Sequence, residues 1–424
     1  MQKRIKKKLK IGIFFSPNKK LGGGYEYTVS VLNALLSSGE TVYIFNASQD
    51  LPLEYKTRKD VKLIELTDKT NDSTNILKEL VSRLLQYLPQ VFVRLIYYGG
   101  VFRLVEIVQR FLQRKTIRGI DSLNLDLVFF PIPSYISFMI KAPKVISILD
   151  LEHRFKGPFK EATAGGRWEY REYINASIAK KAWRIFVDSE KSKNDVKRFY
   201  GGTQTTVLKY IPPLGLKLKL SKKAEEQCCK KFKFMDNFVL YPAKFWPHKN
   251  HMNLVKAIKI LKSRGVPVGA VLTGNKEADF STFDMVFDYV ESNNLQNEVK
   301  YFGYTSSEEL SYLYKKSLAM VMPTFFGPTN IPVYEAWRMG APVIYSNIPG
   351  CREQLGNAGL LVDPNDPADI ADKIAAVYED AGLRETLVER GRKKIREWNK
   401  SDFDGTILGV IVNFKKSNAN PKNN

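Results

Sequence analysis

Cysteine, histidine, acidic side chains and long apolar runs are all scarce in this chain. Cys228 and Cys229 are adjacent and Cys351 stands alone, so no disulfide framework and no metal-ligand spacing can be drawn from them. A reducing, cytoplasmic setting is expected, and no metal and no bound cofactor. No uninterrupted apolar run reaches bilayer-spanning length. The basic residues 1–10 lead into an apolar stretch that stops at Phe15, before Ser16-Pro17, so a secretory signal lacks its apolar middle. Asp and Glu number 44 against 66 Lys and Arg, a net charge of +22 over 424 residues. That excess implies attraction to an anion, whether nucleic acid, an acidic membrane leaflet or a phosphorylated small molecule, and charge alone does not choose.

What is present is a repeated alternation of short apolar runs and helical periodicity. Residues 9–15 read as a buried strand, followed by Gly22-Gly23-Gly24 and a helical stretch over 25–36, the opening of a doubly wound α/β domain. Gly23 and Gly24 either let backbone approach a ligand or form a plain turn. Further strands are expected at 41–46, 61–66, 125–130, 144–149, 184–188 and 205–211, with helices over 166–182 and over 189–200, the latter capped by Ser189. Asp150 and His153 follow the strand at 144–149, where α/β domains bind ligands, and they become candidates for base, orienter or sugar-hydroxyl ligand. Residues 76–118 are helical and basic, interrupted by Gly99-Gly100. Val101, Leu104, Val105, Val108, Phe111 and Leu112 share a face, and Arg103, Arg110 and Arg114 line another. Such a helix suits either its own domain's surface or an anionic membrane.

Pro212-Pro213 ends the first alternation, and the lysine-dense stretch beyond it reads as a linker. The expected division is a first domain over 1–212, a basic linker over 213–236, a second domain over 237–400, and a segment over 401–424 whose tail from Lys415 has a disordered composition. The second domain restarts with a strand at 238–243, then Lys244-Phe245-Trp246-Pro247-His248-Lys249-Asn250-His251 and a helix over 252–264. A strand at 268–273 ends in Gly274, a break that lets backbone reach a ligand.

The most informative stretch is 318–344. Leu318 to Met322 has strand length, the following Gly327-Pro328-Thr329-Asn330 must turn, and Val333 to Met339 is helical with Gly340 as its stop. A helix start there offers unpaired backbone N–H groups of Thr329, Asn330 and Ile331 to an anion, phosphate being the natural guest. Glu335, expected in the first helical turn, could accept two hydrogen bonds from a vicinal diol such as ribose, or merely suit the helix dipole.

This stretch resembles the donor-site signature of the retaining family-four glycosyltransferases of the GT-B fold. Pro332, Glu335, Ala336, Gly340, Pro342 and Val343 match in place, and Gly327 stands where the family has the first of two glutamates. The resemblance implies that Lys244 and Lys249, five apart in a strand-to-helix loop, grip the donor diphosphate. It also implies two Rossmann-like α/β domains facing across a cleft, with the nucleotide on the C-terminal one and the acceptor on the first. The implied reaction moves a hexosyl or deoxyhexosyl unit from a nucleoside-diphosphate sugar to a glycan or lipid-linked acceptor, as in bacterial polysaccharide or lipopolysaccharide assembly. Nucleic acid is not an expected partner. Two other readings remain: a nucleotide-sugar epimerase or phosphorylase of the same architecture, and a basic polyanion- or membrane-binding protein with a degenerate donor site.

Overall fold

The computed structural model describes residues 8–15, 22–45, 51, 53–66, 101–155, 159–164, 166–201, 204–213, 215–233, 236–277 and 280–419. The chain divides into two compact units. The first comprises Met1–Pro158, Ala162–Lys209 and Lys400–Asn424, and the second Phe159–Glu161 and Tyr210–Asn399.

The first unit is built on seven parallel strands: β1 (Lys10–Phe14), β2 (Thr41–Phe45), β3 (Val61–Ile64), β4 (Leu127–Phe130), β5 (Lys144–Ser147), β6 (Arg184–Val187) and β7 (Thr205–Val207). Their order is β3-β2-β1-β4-β5-β6-β7. The sequence of β4, LVFF, is buried along its whole length, as expected for a parallel strand that helices cover on both faces. The helix Gly23–Ser37 follows β1, and Tyr25, Tyr27, Val31, Leu32 and Leu35 are buried on it. The strand order reverses between β1 and β4, the topological switch point of a doubly wound sheet.

The second unit repeats the scheme with six strands: β8 (Phe238–Pro242), β9 (Gly269–Thr273), β10 (Val299–Tyr301), β11 (Ala319–Met322), β12 (Val343–Ser346) and β13 (Leu360–Val362). The order is β10-β9-β8-β11-β12-β13, and every pairing is parallel. Its switch point lies between β8 and β11. The helix Ser307–Lys316 that leads into β11 carries a reciprocal capping box of Ser306 and Glu309.

Three features depart from the sequence reading. The lysine-dense stretch is not merely a linker: it contains the helix Lys222–Lys231, capped by Ser221, which buries Ala224 and Cys228. Beyond it Phe232 packs edge-on against Phe302 at 4.9 Å. The stretch from Lys415 is ordered as far as Ala419, within the helix Lys400–Ala419. That helix belongs to the first unit, where Phe403 meets Tyr27 at 6.5 Å and Phe414 meets Trp183 at 5.0 Å. Finally, the helical pattern expected from 76 divides into Val101–Leu112 and Arg114–Ser122, and its part over 76–100, with Gly99-Gly100, lies outside the described residues.

Candidate functional site

The loops leaving the C-terminal ends of β8 and β11 meet at the second unit's switch point. The loop after β8 runs through the 3-10 turn Pro247–Lys249 into the helix His251–Ser263, and Asn250 joins the two with a left-handed backbone, φ 58°. Asparagine tolerates that conformation because its short amide bonds locally, and here the amide also braces the site. The Asn250 Nδ2 donates to the carbonyls of Pro323 and Pro364, both at 2.7 Å, tying together the loops after β8, β11 and β13. The His248 carbonyl accepts from the Thr324 hydroxyl at 3.0 Å and from the Phe325 N–H at 2.8 Å.

On this frame Lys249 reaches the turn after β11. Its Nζ donates to Asn330 Oδ1 at 3.0 Å, so two residues 81 positions apart in sequence share one spot. Lys244 is half-buried with its ammonium 5.2 Å from the centre of the Trp246 ring, and burial moves its pKa down. The turn itself is tightly held. The Asn330 N–H donates to Gln354 Oε1 at 2.9 Å, the Gln354 Nε2 donates to the Asn330 carbonyl at 2.8 Å, and the Asn330 Nδ2 donates to the Tyr345 hydroxyl at 2.6 Å. The Asn330 N–H therefore does not face an anion as expected. Thr329 and Ile331 are the remaining members of that trio, Thr329 half-buried and Ile331 buried.

The helix that follows is Ile331–Met339, with Pro332 in its first turn. It starts two residues earlier than the sequence reading placed it, since the proline ring presets the helical φ and its missing N–H is not needed there. Glu335 consequently sits in the second turn rather than the first, and it is buried. The Tyr314 hydroxyl donates to Glu335 Oε2 at 2.7 Å, and burial together with that carboxylate pushes the Tyr314 pKa far up, so it remains a donor. Charge-assisted bonds of this kind are among the stronger ones.

Gly327 has φ 124°, and a Cβ there would stand 2.9 Å from Asn330 Nδ2. The absent first glutamate thus has a local cause: the turn that presents Asn330 has no room for a side chain at 327. Gly274, expected to let backbone reach a ligand, lets backbone reach backbone instead. A Cβ would lie 2.4 Å from the Ala243 carbonyl. Its N–H donates to the Gly303 carbonyl at 2.9 Å, and its own carbonyl accepts from the Tyr301 hydroxyl at 2.7 Å.

The other expected site residues belong to the first unit. Gly23 and Gly24 open the helix Gly23–Ser37. Asp150 follows β5, accepts from Arg171 and caps the turn at Glu152, whose N–H donates to Asp150 Oδ1 at 3.0 Å. Its side chain is 35% exposed, which leaves it at a surface. His153 is different, for its side chain is wholly buried. Its Nε2 donates to Glu172 Oε2 at 3.2 Å, and the same carboxylate accepts from Tyr200 at 2.9 Å and from Arg154. Burial lowers the His153 pKa, against the opposing pull of Glu172. The ring accordingly has no exposed atom to offer a substrate.

Sequence reasoning did not find Tyr314, Tyr345, Gln354 or Asn250. Only Asn250 carries a local signal, a residue tolerant of positive φ between a lysine and a helix start.

With this geometry in hand, comparison with known proteins is specific for the second unit. Residues 225–394 match the family described as "Glycosyl transferases group 1". The O-antigen chain mannosyltransferase B of Escherichia coli is 29% identical over 163 residues, which cover 38% of this chain and 42% of that protein. The chain thus spans under half the length of this curated relative. Among solved structures, sucrose-phosphate synthase from Thermosynechococcus elongatus superposes with a TM-score of 0.70 at 18% identity, covering 97% of this chain and 100% of that one. Anabaena HepE in complex with UDP-glucose gives 0.66 at 16% identity over 96% of this chain and 100% of that one. Residues 225–394 thus match the group 1 glycosyltransferase family, within a chain that has the GT-B fold of two Rossmann-like halves.

Proposed function

We propose that this protein transfers a hexosyl or deoxyhexosyl unit from a nucleoside-diphosphate sugar to a glycan or lipid-linked acceptor, with retained configuration, in cell-surface polysaccharide synthesis. The observation that carries the reading is the 3.0 Å contact of Lys249 with Asn330 at the start of the helix Ile331–Met339. It places a cation beside a helix N-terminus at a sheet switch point, the arrangement that suits a diphosphate. HepE, of the same fold, holds UDP-glucose, and the E. coli relative is named for O-antigen chain synthesis.

In this reading Lys244 and Lys249 bind the diphosphate, Thr329 and Ile331 add main-chain donors, and Glu335 accepts from the ribose hydroxyls. The acceptor oxygen bonds to the anomeric carbon on the face from which the diphosphate leaves. The bond from that carbon to the phosphate oxygen breaks, and the acceptor proton passes to the departing phosphate. The two ammonium groups stabilise charge that grows on the leaving group, a contribution of about 3–4 kcal/mol per preorganised donor, with no metal required. Asp150, half-buried after β5, is assigned to acceptor hydroxyls.

A seat on an anionic membrane is part of the proposal. Ile107, Val108, Phe111 and Leu112 are exposed on the helix Val101–Leu112, beside the exposed Arg110, Arg114 and Lys115. Exposed apolar residues next to basic ones suit the interface of an acidic bilayer. Among the described residues no helix is long and apolar enough to cross a membrane.

Thermal unfolding with saturating UDP, GDP and dTDP tests the donor site. Ligand at about a hundred times its dissociation constant adds ~2.7 kcal/mol. One nucleotide is expected to raise the melting point, and Glu335→Ala and Lys249→Ala are each expected to abolish the rise. No rise with any nucleotide would return the chain to the polyanion-binding reading.

A further inference from the structure

The hydrogen bonds around Asn330 fix the direction of every polar group from the backbone outwards. Gln354 bridges both main-chain groups of Asn330, its Nε2 donating to the carbonyl at 2.8 Å and its Oε1 accepting from the N–H at 2.9 Å. A main-chain carbonyl only accepts and a main-chain N–H only donates, so the Gln354 amide has a single orientation. Its Oε1 lies 3.1 Å from the Tyr345 hydroxyl, which must therefore donate to it. With its proton so placed, that hydroxyl accepts from the Asn330 amide nitrogen at 2.6 Å. The Asn330 Oδ1 is then turned to Lys249 Nζ at 3.0 Å, and an ammonium, which has only donors, closes the chain without conflict. Gly327 makes the room, since a Cβ at that position would meet the Asn330 amide at 2.9 Å.

We infer that Tyr345 and Gln354 are positioning residues for Lys249, acting through the Asn330 amide to hold the ammonium against the donor diphosphate. The inference rests on the donor site proposed above. Tyr345 is 0% exposed and Gln354 spends both ends of its amide on the main chain of Asn330, so neither is assigned a contact with the nucleotide. Their effect is directional. Without the Tyr345 hydroxyl the Asn330 Nδ2 loses its acceptor, and only the lysine's own donors are left to favour one end of the amide, since an amide turned the other way sets Nδ2–H against an ammonium. Three separate elements converge to prevent that: the turn before the helix Ile331–Met339, the strand β12, and the helix Pro349–Leu355.

The test has two arms, one with nucleotide and one without. In the first, calorimetry measures the affinity of wild type, Tyr345→Phe, Lys249→Gln and the double variant for the nucleoside diphosphate that stabilises the wild type. Tyr345→Phe is expected to bind about tenfold more weakly, the effect of one charge-linked hydrogen bond. The double variant is expected to be no weaker than Lys249→Gln alone, because the tyrosine acts only through the lysine. A purely structural tyrosine would give additive losses, and additive losses or an unchanged affinity overturn the inference. In the second arm, acetic anhydride labels the nucleotide-free proteins, and mass spectrometry compares Lys249 with the exposed Lys223. Loosening of the Asn330 amide is expected to make Lys249 react faster in Tyr345→Phe, and an unchanged ratio overturns the inference. If the wild type binds no nucleoside diphosphate, the donor reading fails by itself, and the labelling arm still decides whether Tyr345 orients Lys249. Should Tyr345→Phe fail to fold, Gln354→Met, which removes both main-chain bridges, takes its place in each arm.

Discussion

In the first unit Glu172 is matched by His153, Arg154 and Tyr200, and Asp150 by Arg171, whereas in the second Lys249 meets a neutral amide oxygen and Lys244 an indole face. Both units share the strand order 3-2-1-4-5-6, counted within each sheet, with the switch point between the first and fourth strands, so topology does not explain the contrast. Ionic partners inside one unit cancel charge and fix a turn. A neutral acceptor such as the Asn330 amide oxygen fixes a cation's position without itself cancelling the charge. The contrast also ranks the first unit's candidate residues: of Asp150 and His153 only Asp150 reaches a surface.

The largest expected effect tests the first half of that contrast. Glu172→Ala strips a buried carboxylate from His153, Arg154 and Tyr200, and removing one member of such a set costs about 3–5 kcal/mol. Chemical denaturation should show that loss while the nucleotide affinity of the second unit is unchanged; a nucleotide defect at intact stability would show that the cluster belongs to the chemistry. Lys249→Ala is the mirror case. Sugar transfer should fall roughly 10²–10³-fold with little change in melting temperature, and near-normal turnover would remove the lysine from the site. Gly327→Glu reinstates the family's first glutamate. With φ at 124° and Asn330 in the way, the expected result is about 1–3 kcal/mol of lost stability and no gain in turnover. A faster enzyme would mean that the turn adapts.

Acid acts on the second unit as well. His251 is fully buried between Phe245, at 4.1 Å, and Tyr241, at 4.6 Å, and burial pushes its pKa down to about 3. The unfolded imidazole titrates near 6.5, so below that pH the unfolded chain binds a proton that the native one refuses. Stability is complete above about pH 6.5 and falls from there towards pH 3, by about 1.4 kcal/mol per unit at most. Urea unfolding of wild type and His251→Phe at pH 7 and pH 5 should diverge on the acid side, and parallel curves would reject the account.

Much of the architecture was legible because its signals are local. Runs such as LVFF at β4 and AMVM at β11 can hardly be other than buried strands, and Ser189 caps the helix Glu190–Tyr200 as its position before that helix suggested. The helix Lys400–Ala419 was missed because its partners, Tyr27 and Trp183, lie hundreds of residues earlier. Composition marks a lysine-rich end as disordered and is blind to such contacts. In the candidate site, the spacing of Lys244 and Lys249 singled out the loop after β8, from which Lys249 reaches Asn330. The orientation of Lys249 depends on Gln354 and Tyr345, neither of which any helical or strand period brings near Asn330. Gly327 looked like a defect in a motif until its backbone angle and its neighbour were known.

The last helix also bears on how the protein is made. The first unit takes the helix Lys400–Ala419 into its core, burying Phe403, Ile407 and Phe414, yet residues 210–399 intervene and form the other unit. On the ribosome, then, the amino-terminal half emerges first and is completed last, with an apolar flank uncovered while the rest is synthesised. Vectorial folding of domain after domain, the usual course for long chains, is closed to it. A circular permutant beginning at Lys400, its old termini joined by a flexible linker, would deliver that helix first and let the first unit close before the second is translated.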